Sequence, residues 1–212
     1  MLTNKIKLLF LPLIFSSLQA IAHPVIYKGG FDLETESSPM MSNIMTGYTF
    51  HTQASAGFEY FKFAPMSLPG AREFYFAKLN YRPFRWNEVD SQGNIYLSVG
   101  AGNQRKDNEL TSSSIGEFHA DWESRDYYVS GFQKYISQKD EDPLWLSRAR
   151  VGFSPFRADY NDINIWFIAQ FEKMNGEHWE TTPLMRTYFK NILWELGASL
   201  NGNYQFNFMF HL

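Results

Sequence analysis

The last nine residues read Tyr204-Gln205-Phe206-Asn207-Phe208-Met209-Phe210-His211-Leu212. Large apolar residues occupy every second position, Tyr204, Phe206, Phe208, Phe210 and Leu212, with Gln205, Asn207, Met209 and His211 between them. An extended chain sends successive side chains to opposite faces. The stretch therefore predicts a strand with one face almost wholly aromatic and the other mainly polar. Such a strand has two homes. In a soluble sandwich or lipocalin-like barrel the aromatic face turns inward onto a core. In a barrel that crosses a bilayer it turns outward onto lipid, and the polar face lines the interior.

The same period of two recurs upstream in segments of about 10 residues, the length a tilted strand needs to cross hydrocarbon. The cleanest is 94–102, where Ile95, Leu97, Val99 and Ala101 alternate with Asn94, Tyr96, Ser98, Gly100 and Gly102. In 72–82, Tyr75, Ala77, Leu79 and Tyr81 alternate with Phe74, Phe76, Lys78, Asn80 and Arg82. Stretch 114–123 sets Gly116, Phe118, Ala120 and Trp122 against Ile115, Glu117, His119, Asp121 and Glu123. Stretches 145–153 and 163–171 repeat the pattern, with Arg148 and Arg150 on the polar side of the first and Asn164, Trp166, Ile168 and Gln170 together in the second. Weaker segments lie near 30–36, 43–52, 56–64, 127–136, 179–188 and 192–200. Turn-forming residues at 66–70 (with Pro69), 102–108, 138–143, 174–176 and 201–203 separate them.

With the terminal stretch the count is 12, and an even count leaves both ends of the barrel on one side of the membrane. A count of 10 stays open, because 43–52 and 56–64 are poorly patterned. Met185, Tyr188, Phe189, Ile192, Leu193 and Leu196 also fit a helical stripe. A tight turn at Lys190-Asn191, with Pro183 upstream, favours two strands instead. The predicted class is an all-β, closed, antiparallel up-and-down transmembrane β-barrel. Closure has a physical cause: in hydrocarbon every backbone N–H and C=O must find a partner within the protein, and a ring of strands has no edge.

The other end of the sequence predicts export. Lys5 and Lys7 precede an apolar run from Leu8 to Phe15, and Ala20-Ile21-Ala22 offers a small-x-small cleavage pattern. The run is too short for a spanning helix. The expected division is a signal peptide over 1–22 and a barrel domain over 23–212. Cleavage would remove two lysines and move the formal charge from −3 to −5, which argues against a nucleic-acid partner. There is no Cys, as suits a route through an oxidising compartment. Aromatic residues make up 18% of the chain, a level that fits interfacial girdles, with Trp86, Trp122, Trp145, Trp179 and Trp194 as candidate anchors.

Several phrases resemble a family of small, functionally uncharacterised Gram-negative outer-membrane β-barrel proteins. They are Tyr27-Lys28-Gly29-Gly30, Arg85-Trp86-Asn87 with Ser91-Gln92 and Asn94-Ile95-Tyr96-Leu97, Ala120-Asp121-Trp122-Glu123, Ala149-Arg150-Val151-Gly152 and Leu193-Trp194-Glu195. The terminal strand also resembles the signal that outer-membrane assembly machinery recognises, with Leu212 where Phe is usual. The resemblance implies an outer-membrane location, lipid and the assembly machinery as partners, and no established activity.

The polar faces carry the candidate chemistry. Glu117, His119, Asp121 and Glu123 share one strand face, and Arg148, Arg150 and Glu195 join them in the predicted lumen. The plainest expectation is an interior ion-pair network that narrows the bore, since an unpaired buried charge costs several kcal/mol. A permeation path for small solutes or ions lined by these charges is the next. A metal site at Glu117, His119 and Asp121 is less expected, because alternate residues on a strand line up rather than form a cage. Copper handling would use His23, exposed as a new N-terminus by cleavage, with Met40, Met41 and Met45. A lipid-modifying enzyme would need a nucleophile, and Ser98 with His119 is the pair on offer, without a nucleophile motif around it. The expectation is a non-enzymatic barrel, structural or passively transporting, with no cofactor.

Overall fold

The computed structural model describes residues 23–64, 71–107, 109–139, 141–159 and 161–212. The expected signal peptide and the turn around Pro69 lie outside them. Twelve strands follow one another in the sequence. They are β1 (Phe31–Ser37), β2 (Met41–His51), β3 (Ala54–Phe63), β4 (Arg72–Asn87), β5 (Ser91–Lys106) and β6 (Glu109–Ser124). Then come β7 (Tyr127–Gln138), β8 (Glu141–Phe153), β9 (Asn164–Met174), β10 (Glu180–Phe189), β11 (Ile192–Ala198) and β12 (Tyr204–His211). Each pairs antiparallel with its sequence neighbours, and β1 closes the ring on β12. The seam runs from Asp32 opposite His211 to Ser37 opposite Phe206, and Phe31 and Leu212 exchange two backbone bonds of 2.8 Å at its end. The up-and-down barrel therefore has 12 strands, and the ten-strand alternative is excluded.

β10 and β11 are separate strands, paired from Leu184↔Gly197 to Phe189↔Ile192. Lys190 takes a positive φ of 55° in the turn, so the helical stripe was an accident of two apolar faces meeting there. Three boundaries differ from expectation. Residues 102–106, read as a turn, continue β5, and the chain reverses at Asp107 with φ 48°. Glu141, Asp142 and Pro143 begin β8 rather than belong to a loop. β4 runs past Arg82 to Asn87, because a register shift between Tyr81 and Phe84 absorbs Pro83. A bulge is where a strand tolerates a residue without an N–H. It also shifts the phase by one, so the even-numbered Phe84 and Trp86 continue the outer face of Tyr75, Leu79 and Tyr81.

The outer face is apolar. Ile44, Phe58, Leu79, Val99, Phe167 and Leu196 are among its exposed side chains, with Phe58 71% and Val99 62% accessible. Trp86, Trp122, Trp145, Trp179 and Trp194 are all exposed, whereas Trp166 is buried inside. Beyond Tyr75 the outside of β4 and β5 turns polar. Arg105 pairs with Glu73 and lies 5.9 Å from the Tyr75 ring centre, and the Tyr75 hydroxyl donates to Glu73 over 3.0 Å. That cluster marks one edge of the apolar belt. Strand walls approach closely at two glycines: a Cβ at Gly57 would sit 1.9 Å from the Thr46 carbonyl oxygen, and one at Gly102 would sit 1.8 Å from that of Tyr75.

Candidate functional site

Because side chains alternate, each strand contributes about half its residues to the lumen, and the lumen has three zones. At the end away from the β1–β12 seam's chain ends, Met41, Phe61, Phe74, Ile136, Leu146 and their neighbours pack into one buried apolar cluster. At the opposite end a smaller cluster joins Tyr128, Trp166, Ile168 and Leu184. Beside it, residues 23–27 enter the bore, with Val25 fully buried. Their backbone is tied to the wall: Ser55 Oγ donates to the Pro24 carbonyl, Arg82 Nη1 donates to that of Val25 over 3.3 Å, and the Ile26 N–H reaches Thr49 Oγ1 over 3.2 Å.

Between the two apolar ends lies a belt of charge. Glu59 on β3, Lys78 on β4, Glu117 on β6 and Lys134 on β7 form a ring of alternating sign. Lys78 Nζ sits 2.6 Å from Glu59 Oε2 and 2.5 Å from Glu117 Oε2; Lys134 Nζ bonds Glu59 Oε1 and sits 3.3 Å from Glu117 Oε1. The Lys134 ammonium also rests 4.6 Å from the Phe61 ring centre, where the π face favours a cation. A second group places Arg148 between Glu172, 2.5 Å away, and Glu36 on the far wall. In a third, Glu195 accepts from Arg186 at 2.6 Å and Asn207 at 2.5 Å, and Arg150 lies 3.4 Å away. The bonds from Lys134 to Glu59 and from Arg148 to Glu36 join strands that are not neighbours, so side chains bridge the bore itself.

The remaining acids of β6 lie toward the end that residues 23–27 fill. Asp121 accepts from Asn94 at 2.8 Å and lies 3.3 Å from His23 Nδ1 and 3.8 Å from His119 Nε2. His23 stacks on Tyr96 at 5.2 Å, and His119 lies 5.7 Å from the same ring. Burial holds the His23 imidazole well below its usual pKa of 6.5, and the fields of His119, Arg85, His211 and Arg82 push the same way. Glu123 is buried at the end of this row.

No family model and no curated protein matches the sequence. Solved structures do. A KdgM porin in complex with disordered oligogalacturonate aligns over 85% of this chain and 98% of its own, at 10% identity and a TM-score of 0.49. LpxR from Salmonella typhimurium aligns over 85% and 99%, at 7% identity and a TM-score of 0.47. OmpT of Vibrio cholerae aligns over 89% and 99%, at 8% identity and 0.33. Scores this low carry no argument about activity, and the fold rests on the chain's own strand pairing.

The structure places Glu117, His119, Asp121, Glu123, Arg148, Arg150 and Glu195 in the lumen, in four separate groups. Glu117 answers to lysines, not to Arg148 or Arg150. Among the described residues no three His, Asp or Glu side chains are grouped to hold a metal ion. His23 and the methionines are apart: Met41 belongs to the far apolar cluster, and Met45 Sδ lies 3.9 Å from Lys78. Ser98 is buried at mid-lumen, away from either rim. Sequence reading missed Glu59, Lys134, Glu36, Glu172 and Arg186 as partners. Lys78 already stood on a polar face; the others lie on strands whose inner face mixes charge with Phe, Ile or Leu, which blurs the alternation.

Proposed function

We propose that this chain is an outer-membrane β-barrel without catalytic activity, closed at rest and structural rather than a general diffusion pore. The observation that carries the reading is the pairing of an apolar exterior with charges that are satisfied across the bore. An exterior bearing Phe58, Leu79 and Val99 in the open is stable only against lipid. Inside, Glu59, Lys134, Arg186 and Glu195 are each at least 95% buried, which leaves no water column past them. Rings of hydrated charge set the selectivity of open pores; here the charges of Glu59, Lys78, Glu117 and Lys134, and of Arg186 with Glu195, are consumed by one another. Ser98 is buried and His119 half-buried inside the lumen, both turned away from the lipid-facing surface, which speaks against the lipid-modifying alternative.

A second reading is supported by residues 23–27. They block one end of the lumen through a few hydrogen bonds, and the segment could leave without breaking the strand ladder. That makes a gated passage for small solutes the alternative. Planar-bilayer recording of the refolded protein tests both. The closed barrel gives no steady conductance at moderate voltage, and a chain lacking 23–29 stays closed as well, because the Met41–Phe61–Phe74 cluster seals the far end. A stable ohmic current from the intact chain overturns the closed reading; current from the shortened chain alone selects the gated one.

A further inference from the structure

Read backwards from β1, the chain turns from the rim into the bore. Tyr27 is 52% exposed, Val25 is fully buried, Pro24 lines the interior cavity and His23 is 5% exposed. The reversal sits at Gly29, whose φ of 88° suits glycine, and its N–H donates to the Thr49 carbonyl over 2.7 Å. His23 is also where the Ala20-Ile21-Ala22 pattern would place a new chain start. Hydrolysis of the Ala22–His23 amide by a leader peptidase consumes one water. It leaves a carboxylate on Ala22 and, at neutral pH, an ammonium on His23.

Beside that position stands an acid with an open acceptor. Asp121 is 4% exposed; its Oδ1 accepts from Asn94 Nδ2, and its Oδ2 accepts no hydrogen bond. Oδ2 lies 3.3 Å from His23 Nδ1, yet the two do not bond, and Nδ1 is equally without a partner. The His23 backbone nitrogen is a few covalent bonds from Nδ1, in the same neighbourhood. Asn94 Oδ1 is a second buried acceptor there without a donor. Cations stand near the site without reaching Oδ2. Arg82 donates to the carbonyls of Val25 and Thr52, Arg85 to Asn87 and Gln92, and Arg186 Nε to Glu195. Among the described residues the groups within ion-pair distance of Asp121 are two imidazoles, His23 and His119. A buried carboxylate oxygen left without a donor is costly, and nearly all such groups in folded proteins are satisfied.

We infer that leader removal sets the plug: the α-ammonium created at His23 is captured inside the bore by Asp121, so residues 23–27 dock stably in the processed chain alone. The ammonium brings three donors and one positive charge to the open acceptors, and a charge-assisted bond is the stronger kind. In the unprocessed chain the same nitrogen is an amide with a single donor and no charge. The residues ahead of it would also need room in a bore already occupied by the charge belt and the Tyr128–Trp166 cluster. Processing would then act as the step that closes this end of the barrel.

The test begins with the mass of the exported protein, which should place its first residue at His23. Three chains are then refolded in detergent: one starting at His23, the same chain acetylated on its α-amine in urea beforehand, and one that keeps Ala20-Ile21-Ala22. Acetylation near pH 6.5 spares lysines, whose pKa is about 10.4 against about 7.7–8.0 for an α-amine. Hydrogen-exchange protection of the Ile26 and Gly29 amides should fall at least tenfold in both altered chains. Asp121→Asn, which keeps the shape, should lower it as much in the His23-start chain and less than threefold once the amine is acetylated. Heat-dependent gel mobility reports that each barrel is folded; if Asp121→Asn is not, the acetylated chain, whose strands are unchanged, decides. A mature start elsewhere, equal protection in the three chains, or an Asp121→Asn effect that ignores acetylation overturns the inference. The readout is local to residues 23–29, so it stands or falls separately from whether the lumen conducts.

Discussion

Glu59→Gln separates a sealed lumen from a wet one. The change keeps shape and removes the charge that Lys78 and Lys134 share, leaving Glu117 alone between two buried ammonium groups. At the 2.6 Å between Lys78 Nζ and Glu59 Oε2, the attraction is about 6 kcal/mol at an effective dielectric of ~20 and about 1.6 kcal/mol in bulk water. Desolvation offsets part of this. Breaking one partner of a buried pair costs about 3–5 kcal/mol, whereas an exposed pair is worth about 0–1 kcal/mol. The Glu59 side chain is fully buried, so the account predicts the larger loss. Urea unfolding in lipid vesicles, followed by tryptophan fluorescence, measures it. Glu59→Gln/Lys134→Met should recover more than about 1 kcal/mol of that loss by removing the orphaned cation, a coupling expected for residues in direct contact. A loss below about 1 kcal/mol would mean that water already solvates these groups, and the sealed lumen would be refuted.

Three further outcomes follow from single sites. His23 is held neutral by burial, so the docked segment binds fewer protons than the free one and its stability falls as pH drops below 6.5; the protection factors of the Ile26 and Gly29 amides, corrected for the slower base-catalysed intrinsic exchange at low pH, should fall from pH 7 to pH 5, and His23→Phe should abolish that dependence. Gly57→Ala puts a Cβ 1.9 Å from the Thr46 carbonyl oxygen; backbone must shift, and urea titration should show a loss of about 1–3 kcal/mol or more. Removing 204–212 deletes β12 and exposes the edges of β1 and β11; the shortened chain should aggregate on refolding and show no heat-modifiable band, and a compact monomer would contradict the closed ring.

The barrel was legible because lipid contact imposes a chemical rule on every second residue. Leu79, Val99, Phe118 and Val151 obey it, and strands β4, β5, β6 and β8 could be read from them alone. β2 and β3 were faint for a physical reason: their inner rows hold Met41, Phe61 and Phe63 as well as Asn43, Ser55 and Glu59, so apolar side chains stand on both faces. The length of β4 was hidden by the bulge at Pro83, which shifts the period by one. The charged rows were visible as rows, but their partners were not. Which acid meets which base depends on the bore being narrow enough for Lys134 to reach Glu59 and Arg148 to reach Glu36 across it. Nothing local to either strand encodes that distance. The entry of residues 23–27 into the lumen had no sequence signal beyond the apolar Val25-Ile26 pair.

Single cysteines test the lipid-facing exterior most directly, since the chain has none of its own to remove. One cysteine at each position from Lys78 to Tyr81 and from Leu97 to Gly100, spin-labelled in vesicles, can be probed with oxygen from the lipid side and a water-soluble nickel complex. Positions 79, 81, 97 and 99 should respond to oxygen and ignore nickel, while 78, 80, 98 and 100 respond weakly to both. Nickel access at Leu79 and Val99 equal to that of a surface loop would show those side chains in water, and the membrane barrel would fall.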